Sequence, residues 1–143
     1  MNAPAPTPLG VADIQAIFDS SPFIGFLGMQ ALCVDHEAKT FRARMPLRPE
    51  TERRAGTQQF HGGPIASFID VIGDFAIGML VGGGVPTINL RVDYLAPAKG
   101  AYLEAGASVR RAGRTVAVVD IDVFNPDGKL VAVGRGTYST ITG

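Results

Sequence analysis

The sequence predicts an α+β fold in which a curved antiparallel β-sheet wraps one long central helix. Three observations lead there. Apolar residues recur at three- and four-residue spacing between Pro64 and Met79, the period of a helix with one buried stripe. Four segments after that helix read as strands divided by turn residues. The C-terminal half is all strand, which argues against the alternating units of a doubly wound parallel sheet.

The elements follow in order. Residues 1–10, MNAPAPTPLG, hold three prolines and no basic-then-apolar pattern, so they read as a flexible lead-in rather than a signal peptide. Residues 11–143 form a single domain, the usual count for a chain of 143 residues. Val11 to Phe18 reads as a short helix with Asp13 in its first turn, broken by Ser20, Ser21 and Pro22. Phe23 to Gly28 is apolar and partly irregular. Met29 to Val34 and Thr40 to Met45 read as paired strands around DHEAK; Phe41, Ala43 and Met45 point one way, Arg42 and Arg44 the other. Pro46 to Gly56 is a polar loop placed to shape a pocket mouth.

On the central helix, Ile65, Phe68, Ile69, Ile72, Ala76 and Met79 make the core stripe. Ser67, Asp70, Gly73, Asp74 and Ile77 are expected on the other side, facing solvent or a second subunit. Gly82, Gly83 and Gly84 end the helix. Pro86 to Tyr94, Ala101 to Arg110, Thr115 to Phe124 and Leu130 to Thr140 are the four later strands. Arg111-Ala112-Gly113-Arg114 and Asn125-Pro126-Asp127-Gly128 are their hairpin turns.

Composition narrows the function. The chain is 46% hydrophobic and 18% charged, with 13 basic and 13 acidic side chains and zero formal net charge. That balance supplies no field for nucleic acid or an acidic membrane. Phe75 to Val85, the longest apolar segment, is short and glycine-broken, so no membrane span is expected. Cys33 is the only cysteine and reads as a strand core residue, and with two histidines in the chain a metal centre would need several carboxylates. The cysteine usage fits a reducing compartment, and a cytoplasmic location is expected.

The chemistry concentrates in QQFHGGPIASFIDVIGDF, residues 58–75. A glycine turn before a helix aims unpaired N–H groups at the entrance, and Gly62 N–H suits an oxygen that becomes negative. Asp70, between Ile69 and Val71, is either part of a solvated face or a general base or nucleophile in a crevice. Asp74, one turn on, is the reserve candidate. His61 fits a structural role in the pocket loop, since no nucleophile pattern completes a triad. Arg110, Arg111 and Arg114 cluster at a hairpin, with Arg91 on a neighbouring strand; such arginines either are solvated or grip phosphates.

HGGPIASFID, VPTINLRVDYLAPAKG and RRAGRTVAVVDIDVFNPDGKLVAVGRGTY together resemble the hotdog-fold thioesterases, specifically the phenylacetic-acid-degradation (PaaI-like) group, over roughly Phe23 to Tyr138. The resemblance implies a hotdog fold, subunits joined edge to edge as homodimers that often pair into homotetramers, and active sites at the dimer interface. It implies an acyl-CoA thioesterase that releases a free acid and CoA, with no cofactor beyond the CoA of the substrate. Asp70 matches the acid that attacks the thioester or activates water. Gly62 matches the glycine whose N–H polarises the carbonyl, and His61 the loop histidine. Thr87 matches a hydroxyl that helps place water from the other subunit. The family's usual asparagine, six residues before the histidine, is Ala55 here; Gln58 or Gln59 is the candidate replacement. Arg91, Arg110, Arg111 and Arg114 are the candidates for the CoA phosphates. Phe23, Phe26, Phe60 and Phe68 are candidates for an aromatic or short- to medium-chain acyl pocket. The alternatives are an acyl-CoA-binding module without catalysis, favoured by Ala55, and a hotdog-type enoyl-CoA hydratase or dehydratase.

Overall fold

A computed structural model describes residues 4–142. In chain order it contains α1 (Val11–Ser20), α2 (Pro22–Leu27), β1 (Gln30–Asp35), β2 (Thr40–Pro46), a 3-10 turn (Pro49–Thr51), α3 (Gly62–Val81), β3 (Thr87–Tyr94), β4 (Tyr102–Ala112), β5 (Val116–Phe124) and β6 (Leu130–Ser139). The strands form one antiparallel sheet in the order β1-β2-β4-β5-β6-β3. The strand that follows α3 therefore lands at one edge of the sheet, and β1 lies at the other.

Phe23 to Gly28, expected to be partly irregular, is helical. Ser21 Oγ accepts from Ile24 N–H at 3.4 Å, Pro22 occupies the first turn, and Gly28 closes the helix in the left-handed region at φ 69°. Ser, Pro and Gly thus stand at the cap positions each favours. α3 begins two residues before Pro64 because His61 is its N-cap. Gly82, at φ 93°, ends it by donating its N–H to Gly78 O at 2.8 Å.

Inward residues of β2, β4, β5 and β6 cover the stripe of α3; Phe41, Leu103, Val119 and Ile121 are fully or almost fully buried. The expected outer side of the helix needs correction: Gly73 and Ile77 are also buried. For Gly73 the cause lies in β6, where Gly134, Gly136 and Tyr138 share the face toward the helix. A Cβ on Gly73 would lie 2.1 Å from Tyr138 Oη, and one on Gly134 2.5 Å from Ile69 Cγ2. Missing side chains on both elements therefore let the helix sink onto the strand. α1 closes another side, with Phe18 meeting Phe75 edge-on at 5.0 Å between ring centroids.

Cys33 is exposed rather than in the core. It sits on edge strand β1 beside a register irregularity between Ala31 and Cys33, which resets which side chains face in. By length and composition alone α3 passes as apolar enough to cross a membrane, a test that a buried core helix also passes. Gly82 to Gly84 fall at its end, Gly73 and Gly78 lie buried within it, and it serves as the helix of the protein core. Residues 1–3 of the lead-in lie outside the described residues; further on, Leu9 N–H donates to Met79 O at 3.0 Å, tying the chain to the end of α3.

The two sheet edges differ. Gln15 of α1 covers β1: its Oε1 accepts from Ala31 N–H at 2.8 Å and its Nε2 donates to Met29 O at 3.2 Å. On β3, Ile88 is 58% exposed. A strand edge with an exposed apolar residue is a template for another strand.

Candidate active site

The start of α3 is held by backbone contacts on both sides. Phe60 N–H donates to Ala98 O and His61 N–H to Thr51 O, each at 2.8 Å. His61 Nδ1 then accepts from Gly63 N–H at 3.1 Å, satisfying one orphan donor of the first turn. Gly62 N–H has no partner among the described residues, while Gly62 O accepts from Tyr94 Oη at 2.7 Å. A cleft of about 380 Å³ opens beside it, lined by Arg53, Gln59, Gly62, Ile65, Tyr94 and Pro97 among others. A free N–H at a helix start beside a cleft is chemically able to donate to an oxygen that becomes negative.

Further along the helix, Thr87 Oγ1 donates to Asp70 Oδ1 at 2.8 Å. Tyr138 Oη, buried under α3, donates to Asp70 O at 3.1 Å. Burial raises the Tyr138 pKa, and the carboxylates of Asp70 and Asp74 add to it, so the phenol stays a donor. Asp74 Oδ1 accepts from Val85 N–H at 2.7 Å. Burial pushes the Asp74 carboxyl up to about 7, against the Val85 hydrogen bond that lowers it, and Asp70 raises it further.

A helix rises about 1.5 Å per residue, so Gly62 and Asp70 of one chain are separated by roughly 12 Å along the axis. One carbonyl cannot touch both. Thr87 and Asp70, by contrast, meet within a single chain.

A model of the thioesterase superfamily matches residues 58–132, the span from the glycine turn to the first residues of β6. A Halobacterium salinarum protein that carries an esterase name is 36% identical over 136 residues, covering 87% of this chain and 88% of its own. The chain belongs to the thioesterase superfamily. A medium/long-chain acyl-CoA thioesterase of Salmonella typhimurium, YigI, is 35% identical over 97 residues, 54% of this chain and 60% of that one. The solved structure of the PaaI protein from the Escherichia coli phenylacetic acid degradation operon superposes with a TM-score of 0.78 at 26% identity, covering 92% of this chain and 93% of that one. The six-stranded sheet packed on α3 is thus the hotdog fold expected from the motifs.

In this thioesterase-superfamily chain the remaining candidates disperse. Gln59 lines the cleft and pairs with Lys99 in an isolated bridge. Gln58 does not: its backbone is left-handed at φ 55°, its N–H donates to Glu52 Oε2 at 2.9 Å and its carbonyl accepts from Gly100 N–H at 3.0 Å. Ala55 is exposed in the loop, outside the cleft lining. Arg91 and Arg110 sit on the sheet face away from α3, in a shallow groove of about 500 Å³. Both are engaged there, Arg91 with Asp93 at 3.2 Å and Arg110 with Asp120 at 3.5 Å. Arg111 and Arg114 flank the β4–β5 turn, at the end of the sheet nearer Thr87; Arg114 O accepts from Thr140 Oγ1, and Ser139 N–H donates to Pro86 O. Phe60 and Phe68 are core residues, and Phe23 and Phe26 are about half exposed on α2.

Sequence reasoning missed Tyr94, Tyr138 and Arg53. Tyr138 had a readable signal: Gly134, Gly136 and Tyr138 share one face of a strand by period two, small residues making room for a large one. Tyr94 and Arg53 carried none, because their meeting with Gly62 depends on how β3 and the loop fold back.

Proposed function

We propose that this protein hydrolyses acyl-CoA thioesters to a free acid and CoA, as a homodimer whose sites each combine Gly62 of one subunit with Asp70 of the other. The observation that carries the reading is the pair formed by a free Gly62 N–H and a Thr87-held Asp70, on one helix but roughly 12 Å apart. Two copies meeting at the open β3 edge bring the complementary halves toward each other. Gly62 N–H polarises the thioester carbonyl. Asp70 either takes a proton from water as it attacks, or attacks directly to give an anhydride that water opens. The C–S bond breaks in both routes: in the first, CoA leaves as the thiol with the proton that Asp70 took from water; in the second it leaves as the thiolate, and the water that then opens the anhydride supplies the proton and regenerates Asp70. Thr87 and Gln59 orient the water.

The acyl group is aromatic or of short to medium length, consistent with a small cleft bearing Ile65 and Pro97. No cofactor is required, the location is cytoplasmic, and the dimer is able to pair again into a tetramer. Arg111 and Arg114 remain the better placed of the four arginines for CoA phosphates, since Arg91 and Arg110 already have acidic partners. The test is thiol release from a panel of aryl, short-chain and medium-chain acyl-CoAs, with Asp70→Asn alongside. Turnover lost in the variant supports hydrolysis. Tight binding of CoA esters without turnover points instead to the binding module that Ala55 favours, and hydration of an enoyl-CoA to the hydratase class.

A further inference from the structure

We propose that Asp74 is a positioning residue: it clamps the Val85 N–H to α3 so that Thr87, two residues on, presents its hydroxyl to Asp70. The catalytic side of this inference rests on the hydrolase reading above.

The chain between α3 and β3 has little stiffness of its own. It leaves the helix through Gly82, Gly83 and Gly84, a run with the broadest backbone freedom available. The sheet does not fix Thr87 alone either. Ser139 N–H holds Pro86 O at 2.9 Å, but the β3–β6 register is irregular between Thr87 and Asn89. An irregular register leaves the direction of the Thr87 side chain underdetermined by the ladder. The clamp to the helix supplies the missing constraint. Asp74 Oδ1 accepts from Val85 N–H at 2.7 Å, and both carboxylate oxygens lie 3.8 Å from where a Cβ on Gly84 would stand. Two contacts one helical turn apart, Asp74 with Val85 and Asp70 with Thr87, then lay the incoming strand along α3.

The setting of Asp74 agrees with a clamp rather than a second reacting acid. It makes no ion pair among the described residues. The ionisable groups that act on it or feel it are Asp70 and Tyr138, neither of which offers a positive charge. What it needs to supply is an oxygen acceptor at a fixed place, which an amide oxygen also provides.

The experiment is a double-mutant cycle on acyl-CoA hydrolysis with Asp74→Ala, Thr87→Val and the pair, with Asp74→Asn as the conservative control. Backbone hydrogen exchange at Val85 is read in each, and the Thr87 methyl resonance in wild type and the two Asp74 variants. Asp74→Ala and Thr87→Val are each expected to lower kcat about tenfold with KM changed less than about twofold, and the pair no further than Thr87→Val alone. Asp74→Asn is expected to stay within about threefold of wild type and keep Val85 protected. Losses that multiply in the double variant overturn the proposal. So does a loss beyond about tenfold in Asp74→Asn with Val85 still protected, a result that needs no folded alanine variant. Should the wild type release no thiol from any ester, the hydrolase reading falls by itself. The clamp is then decided by Thr87: a methyl resonance that moves with loss of Val85 protection supports it, and one that stays put overturns it.

Discussion

The two ends of α3 solve opposite problems. At its start, Gly62 N–H is left open beside a cleft, and the residues around it are held mainly by backbone contacts from Thr51 and Ala98. From Asp70 onward, the polar groups are taken: Asp70 by Thr87 and Tyr138, Asp74 by Val85. The glycines differ in the same sense. A Cβ on Gly62 would come no closer than 3.3 Å to the half-exposed Tyr94 ring, whereas one on Gly73 would overlap the buried Tyr138 phenol. The first end leaves a donor free beside a cleft, and the second holds its side chains still. An enzyme of this kind needs both, since an oxyanion donor must be unoccupied and a base must be preorganised.

The largest expected effect breaks function without breaking the fold. Asp70→Asn should lower kcat by about 10²–10⁴-fold, the range for a lost general base or nucleophile, while thermal unfolding stays near that of wild type. Wild-type turnover in that variant would remove Asp70 from the chemistry.

The buried charge of Asp74, as distinct from its acceptor oxygen, should show itself in stability. Its carboxyl is raised from 3.8 in the unfolded chain to about 7 in the folded one, so the folded state binds the extra proton between those values. Stability therefore falls as pH rises from about 4 to 7 and levels off above that, by up to about 4 kcal/mol at roughly 1.4 kcal/mol per pH unit. Denaturant unfolding of wild type and Asp74→Asn across that range checks this. The variant should lose the slope and be the more stable protein at pH 8; an unchanged slope would mean that another group titrates.

The same substitution at the two ends sharpens the contrast. Gly73→Ala should cost about 3 kcal/mol through overpacking against Tyr138. Gly62→Ala should cost less than about 1 kcal/mol, because the exposed Tyr94 ring is able to give by the few tenths of an ångström required. Equal losses would dissolve the distinction. At the buried end, a smaller effect than that of Gly73→Ala belongs to Tyr138→Phe, which removes the hydrogen bond to Asp70 O and should cost about 1 kcal/mol in urea unfolding.

Much of this was legible in one dimension. The strands and α3 follow from period two and period three-to-four, and the glycines after Val81 mark the end of α3, because burial on one face writes itself into spacing. Asp70 was identifiable as an acid off the main apolar stripe, and the HGG turn as a helix start with spare donors. The local code was also present for α2, where Ser21, Pro22 and Gly28 sit at cap positions, although the apolar run between them has no clear period.

Other features depend on chain segments that are far apart in sequence. That Gly73 is buried depends on Tyr138, some sixty residues away, filling space that Gly73 and Gly136 leave empty. That Asp74 meets the Val85 N–H and Asp70 the Thr87 hydroxyl depends on the path of residues 82–87, which no spacing on the helix encodes. The arginines teach the same lesson: clustered in sequence or on neighbouring strands, Arg91 and Arg110 turn to the outer sheet face and meet carboxylates there. Sequence by itself determined which residues form each element and which face each tends to bury, since propensity and periodicity act locally. Only the tertiary structure decided which polar groups are satisfied and which remain free, because a hydrogen bond or an ion pair needs both partners in place.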